Sequence, residues 1–285
     1  LKVRKAHFAG SWYPSDPRAC RSRIESFLLG APSPEGEGAE AVGGIVPHAG
    51  WDFSGRIAAR VMALMARGEP PSTVVIFGGH LGPWSKSRVM AEGAWDTPFG
   101  PIEVDSLLAR ELMKRVPIDQ ESPTHGEPDN TIEVQLPIIK HLFPDTRILP
   151  IWAPPTPQGL EIGRACGGLV RELGKRCLVL GSTDLTHYGP GYGFRPAGSG
   201  SRAESFVREV SDKAIIEKIL EMRPEGIIEE ALAKQNACCP GAAAAALACG
   251  LELGAKKAQL VEYSTSLDVM RGEDFVGYAG IVLWS

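Results

Sequence analysis

Several things are scarce in this sequence, and each scarcity excludes something. Basic residues do not outnumber acidic ones: 30 Lys and Arg stand against 34 Asp and Glu, for a formal charge of −4. With no basic block, the chain carries no electrostatic footprint for DNA or RNA, so nucleic acid is not an expected partner. No apolar run approaches the roughly 18 residues that a membrane helix needs. The most hydrophobic stretch, PGAAAAALACGLELG at 240–254, is Ala-rich, is interrupted by Glu252 and reads as a buried helix. The N-terminal stretch is basic, but His7, Trp12, Asp16 and its prolines break up any signal-peptide core. The expectation is a cytoplasmic protein without a membrane partner. Six cysteines in 285 residues are too few for a disulfide scaffold, and no CxxC knuckle occurs among them. Cys20, Cys166, Cys177 and Cys249 fall in apolar or helical patterns, as small core residues do. A dinucleotide or Walker glycine loop, a GxSxG elbow, an HExxH helix and the kinase signatures are all missing, which leaves nucleotide hydrolysis unsupported.

What is present is a globular composition, 44% hydrophobic, with 33 Gly and 23 Pro placed at punctuation points rather than in a period. A short helix over 17–29, opened by Pro17, is followed by a polar surface linker at 30–40. A strand at 43–47 ends at His48, a helix covers about 54–67, and STVVIFGGH gives a buried strand ending at His80. That strand–helix–strand order is the pattern of a βαβ unit. A hairpin is expected over 88–104, and helices over 105–115 and through TIEVQLPIIKHLF. TRILPIWA reads as a strand, PTPQGLEIGRACGGLVRELG at 155–174 as a helix, and 177–181 as a buried strand running into a polar loop. A Gly- and Pro-rich excursion at 189–202 precedes helices over 203–221, over 224–235 and from about Gly241, and two C-terminal strands. The predicted class is α/β: one domain over 1–285, with a central mixed, mostly parallel sheet flanked by helices on both faces. No repeat of fixed period occurs, although two βα halves would make a structural pseudo-repeat.

The chemistry-bearing residues collect after the apolar strands, where open α/β sheets place their ligand sites. His48 in PHAG and His80 in GGHLG have glycine neighbours that permit close approach. Each alone is explained as well by a turn histidine bonded to backbone; together, after successive strands, they point to a metal or to catalysis. In GSTDLTHYG, His187 is placed to act as acid and base with Asp184 as its orienting partner, or else Ser182 or Asp184 caps a helix beside a surface histidine. Cys238 and Cys239 precede the alanine run. A thiol near a helix N-terminus suits a nucleophile or a soft ligand, and a simply buried pair is the alternative. The alanines themselves imply a helix packed too closely for larger side chains. Asp52 follows PHAGW, Glu133 begins a helix after Asn130, and His125 lies in a loop from which it could reach a site. His7 and Trp12, in HFAGSWYP, either line a pocket or clamp the N-terminal segment.

The ordered set HFAGSWYP, PHAGWDFSG, GGH, STDLTHYG and a late cysteine before a small-residue helix resembles the Memo family, which in turn resembles the class III non-haem iron extradiol dioxygenases in fold. The resemblance runs from His7 to the final strands. It implies one metal ion held by His48, His80 and Cys238, with Cys239 an alternate ligand one position away. The cysteine takes the place of a carboxylate in the dioxygenases. Asp184 and His187 match a polar pair in the same pocket, and His187 resembles the catalytic histidine of the dioxygenases. Two departures stand out: the family's cysteine is usually followed by glycine rather than Cys239 and Pro240, and Asn130 and Thr131 stand where it usually has histidine and serine.

Two imidazoles and a thiolate suit iron(II) or copper(I), with zinc a further possibility. The leading expectation is therefore a metal-binding protein with oxygen-dependent redox activity on an unidentified substrate, a small molecule or a peptide. One alternative is a module that grips a peptide or small ligand through Trp12, Tyr13, Trp51, Trp84 and Trp95. The other is a zinc hydrolase, for which no general-base glutamate stands beside the ligands.

Overall fold

The computed structural model describes residues 1–30, 40–124 and 126–285. His125 and the 31–39 stretch of the linker lie outside the described residues. The chain opens with β1 (Val3–Arg4) and α1 (Pro17–Leu28), then β2 (Ala41–Val46), α2 (Trp51–Met65) and β3 (Thr73–Gly78). Next come β4 (Arg88–Met90), β5 (Ala94–Trp95), β6 (Ile102–Glu103), α3 (Ser106–Met113) and β7 (Asp119–Glu121). α4 (Asn130–Glu133), α5 (Leu136–Leu142), β8 (Arg147–Trp152), α6 (Pro157–Glu172) and β9 (Cys177–Ser182) follow. The last part holds β10 (His187–Tyr188), α7 (Ser201–Phe206), α8 (Asp212–Leu220), α9 (Pro224–Lys234), α10 (Pro240–Glu252), β11 (Lys257–Thr265) and β12 (Phe275–Trp284).

The main sheet has a parallel centre of four neighbouring strands, β2, β9, β3 and β8. Antiparallel pairing extends it on both sides. β12 joins β2 and itself carries β10 and β11, while β4 joins β8 and carries β7 in parallel. A small second sheet is built from β1, β5 and β6. Helices cover both faces, as the unbroken apolar strands predict, since a strand buried on both sides has no polar alternation. In β3, Val74 and Ile76 join the cluster of Val61, Met62 and Met65 from α2. The intervening Val75 and Phe77 join Cys166 of α6 and Ala242 and Ala246 of α10. No described helix is long and apolar enough to cross a membrane.

Two segments depart from their predicted form. The 88–104 segment is divided: β4 stays in the main sheet, Gly93 turns the chain with φ +92°, and only β5 and β6 pair as a hairpin. The helix expected through TIEVQLPIIKHLF breaks into α4 and α5, because Pro137 has no N–H to give the Glu133 carbonyl.

The alanine run of α10 packs as its composition demands. Ala242 to Leu247 are fully buried between α6 and the sheet. A Cβ on Gly163 of α6 would run into the backbone oxygen of Ala245, and one on Gly181 of β9 would lie 2.7 Å from Ala246 Cβ. Backbone-to-backbone approach of this kind leaves no room to relax. Gly163→Ala is expected to cost about 1–3 kcal/mol by overpacking, read as a lowered urea midpoint with an unchanged m-value.

Candidate metal centre

Three adjacent parallel strands end on one edge of the sheet and deliver most of the site. His48 follows β2, His80 follows β3, and Thr183 to His187 follow β9, which lies between the other two. At Gly79 the backbone takes φ +97°, and a Cβ would meet Trp152 Cδ1 at 2.6 Å, so only glycine turns His80 into the site. The Gly79 N–H donates to Thr131 Oγ1 at 2.8 Å.

The cysteines arrive from the α9–α10 connection and are fastened to the loop after β9. Cys238 N–H donates to Asp184 O at 3.1 Å, and Cys239 N–H donates to Thr183 Oγ1 at 3.0 Å. In return, the Asp184 N–H donates to Cys238 Sγ at 3.2 Å. Cys238 Sγ then lies 3.3 Å from His48 Nε2, Cys239 Sγ 3.3 Å from His80 Nδ1, and the two sulfurs 3.6 Å apart. All four donor atoms fall within 4.8 Å of one another. His48 and Cys239 are buried, Cys238 is half-buried and His80 opens to solvent.

The imidazoles are aimed by partners behind them. His48 Nδ1 meets Ser182 Oγ at 2.9 Å, which leaves Nε2 for the sulfur. His80 Nε2 faces Asn130 Oδ1 at 3.4 Å, and the Asn130 amide donates to His48 O at 3.1 Å. Such backing fixes tautomer and ring orientation in histidine ligands. Among the protein groups, burial opposes charge on His48, but the Asp184 carboxylate and Cys238 outweigh it and push its pKa up to about 9. Burial also opposes a Cys238 thiolate, yet the Cys239 thiol and the charge of His48 hold Cys238 well below its ordinary value. Burial and the neighbouring Cys238 push Cys239 the other way.

A cleft of about 630 Å³ opens beside these donors, lined by His48, His80, Asn130, Asp184, His187 and Tyr192 among others. A second hollow of about 470 Å³ meets Cys238, His80, His187 and Tyr192 from the other side. His187 Nδ1 is bound to Leu185 O at 3.1 Å, so this nitrogen carries the proton and Nε2 is the basic one. Tyr192 packs edge-on against the His187 ring, 4.9 Å between centroids.

A family model described as Memo-like protein matches residues 4–282. The chain belongs to the Memo family. A MEMO1 family protein of Thermococcus kodakarensis is 36% identical over 293 residues, spanning 98% of this chain and 99% of the relative. One from Pyrococcus abyssi is 34% identical over 292 residues, spanning 99% of each. Among solved structures, an uncharacterized protein from Escherichia coli K12 aligns with a TM-score of 0.48 and 15% identity, covering 79% of this chain and 90% of that chain.

In this Memo chain His48, His80, Cys238 and Cys239 come together, while other residues singled out in the sequence take different places. The expected pairing of Asp184 with His187 is corrected. Asp184 Oδ1 accepts the His48 N–H at 2.7 Å, Oδ2 stands 3.9 Å from His48 Nε2, and no hydrogen bond links it to His187. Because the cysteine loop is docked on its backbone, the carboxylate is turned toward His48. Glu133 is also not a pocket residue. It is fully buried, and its carboxylate accepts the N–H groups of His7 and Phe8 and the Tyr13 hydroxyl, clamping the N-terminal segment. Trp51 is core as well: it packs on Tyr13 and Phe27, and its Nε1–H donates to Val134 O. Trp95 is buried too, which leaves Trp12 and Trp84 as the exposed members of the proposed aromatic surface. Trp12 and Asp52 do line the cleft, Asp52 as the ion-pair partner of Arg23.

Other residues of the cleft gave no local signal in the sequence. Tyr192, Asp274 and Tyr278 reach it from two distant segments, and Asp274 ties them together by accepting the Gly191 N–H. Asp212 lies behind the His187 loop, fully buried, and accepts the N–H of Thr186 and the hydroxyl of Tyr263. It reaches this place through a π-turn over Val207–Ser211, set inside the expected helical stretch, which runs unbroken from 201 to 220. Burial raises its carboxyl to about 6, with the Thr186 and Tyr263 hydrogen bonds and nearby His187 only partly offsetting the rise. A carboxyl raised on folding costs stability above its folded pKa, and that cost vanishes below its ordinary value near 3.8. Acidification from pH 7 to pH 4 is therefore expected to stabilise the parent relative to Asp212→Asn by roughly 2–3 kcal/mol. Urea titrations of both proteins across that range measure the difference, and a pH-independent difference would contradict it.

Proposed function

We propose that this protein is a metal-dependent oxidoreductase acting on a small organic molecule, with the ion bound by His48, His80 and Cys238. The observation that carries this reading is the convergence of imidazole and thiol donors at the strand ends, at the wall of a cleft of about 630 Å³. Thiolate and imidazole together favour copper(I) or iron(II), with zinc the redox-silent alternative. When bound, such an ion supplies one-electron chemistry with dioxygen. The protein's own groups do the rest. Ser182 and Asn130 hold the imidazoles in register, and the Asp184 N–H supports charge on Cys238. His187 Nε2 is the group in the cleft suited to take a proton from a bound hydroxyl or thiol and return it. Trp12 at the rim gives a planar substrate an apolar contact.

Protein purified anaerobically, without a metal-binding tag, is expected to carry close to one equivalent of copper or iron by mass spectrometry. His48→Ala, His80→Ala and Cys238→Ala should each lose most of it while keeping the parent's circular dichroism. Dioxygen uptake with phenols and thiols is then expected in the parent and not in these variants. Unchanged metal content in all three would overturn the reading, and one equivalent of zinc would replace redox chemistry by zinc-activated water.

A further inference from the structure

The three-ligand reading leaves Cys239 unused, although its sulfur stands 3.3 Å from His80 Nδ1 and 3.6 Å from the Cys238 sulfur. We infer that Cys239 is a fourth ligand, and that His48, His80, Cys238 and Cys239 form a closed four-coordinate shell selective for a d10 ion, copper(I) or zinc(II), over iron(II). This inference rests on the metal-centre reading above and deepens it.

Three of the six donor separations match the edges of a tetrahedron. Metal–sulfur bonds of about 2.3 Å and metal–nitrogen bonds of about 2.0 Å imply sulfur–sulfur edges of about 3.8 Å and sulfur–nitrogen edges of about 3.5 Å. The corresponding separations here are 3.6 Å between the sulfurs and 3.3 Å for each sulfur–imidazole pair. Each imidazole thus has its own sulfur, and the remaining pairs lie within 4.8 Å. The pairing is enforced from behind, since Ser182 commits His48 to Nε2 and Asn130 commits His80 to Nδ1. Cys239 is also fixed before any ion binds. Its N–H is held by Thr183 Oγ1, and it is the N-cap of the thirteen-residue helix α10. Two sulfurs and two nitrogens in tetrahedral array suit ions with no geometric preference of their own, whereas a non-haem iron site of the oxygenase type keeps positions open. A closed shell also means that a substrate in the cleft meets the ion only after one ligand has left it.

Cobalt(II) titration of the metal-stripped full chain under argon tests this directly, because thiolate-to-cobalt charge transfer counts sulfur ligands and the visible bands report four-coordination. The parent is expected to saturate at one equivalent with intense visible bands and a two-thiolate near-ultraviolet band. Cys239→Ser and Cys239→Ala should each retain about half of that band. A parent band of single-thiolate intensity, or full charge-transfer amplitude in both Cys239 variants, would overturn the fourth ligand and leave the three-ligand centre standing. A parent with no thiolate–cobalt band would remove both.

Discussion

Everything at this site depends on the docking of one loop against another. Residues 238–239 exchange hydrogen bonds with residues 183–184 through both backbone and sulfur, across a sequence separation of more than fifty residues. The docking is possible because α10 approaches β9 and α6 at backbone contact, over Gly163 and Gly181. Were that seam wider, the two thiols would not reach the histidines. The alanine-rich composition of α10 and the chemistry at its N-terminus are therefore one constraint seen at two ends.

The histidine side of the site rests on the sheet. Parallel strands put their carboxyl ends on a common edge, so the residues after β2, β3 and β9 become neighbours whatever their identity. What this chain adds is control of aim: Gly79 permits the turn at His80, and Ser182 and Asn130 set the two rings. The N-terminal segment closes the arrangement. Its backbone is captured by the Glu133 carboxylate, and the Trp12 carbonyl accepts the Trp51 N–H at the start of α2, next to the cleft.

Much of this was legible in the sequence because it is written in local pattern. Unbroken apolar runs such as Thr73–Gly78 identify strands buried on both faces, and a histidine directly after such a run is already placed at the sheet's edge. The small residues of α10 likewise announced a tight seam before any neighbour was known. What was not legible was direction. Whether Asp184 turns toward His48 or His187 depends on a loop arriving from residue 238, and no spacing within STDLTHYG encodes it. Glu133 looked like a first-turn carboxylate, and its actual partners lie more than 120 residues away. Gly191 and Asp274 meet across 83 residues of sequence. Pairings of this kind follow from topology, which hydrophobic periodicity does not specify.

The sequence distance spanned by the donors has a consequence for how the chain folds. Cys238 and His48 are 190 residues apart, and Cys239 and His80 are 159 apart. Their meeting requires the closing of very long loops, whose entropy is lost before any local contact offsets it. An ion bridging these residues would act as a reversible cross-link between the two ends of the molecule. Binding only the completed topology, it would add its affinity to the stability of the native state by mass action. Ion binding at this cluster would then report whether the whole sheet has been correctly assembled.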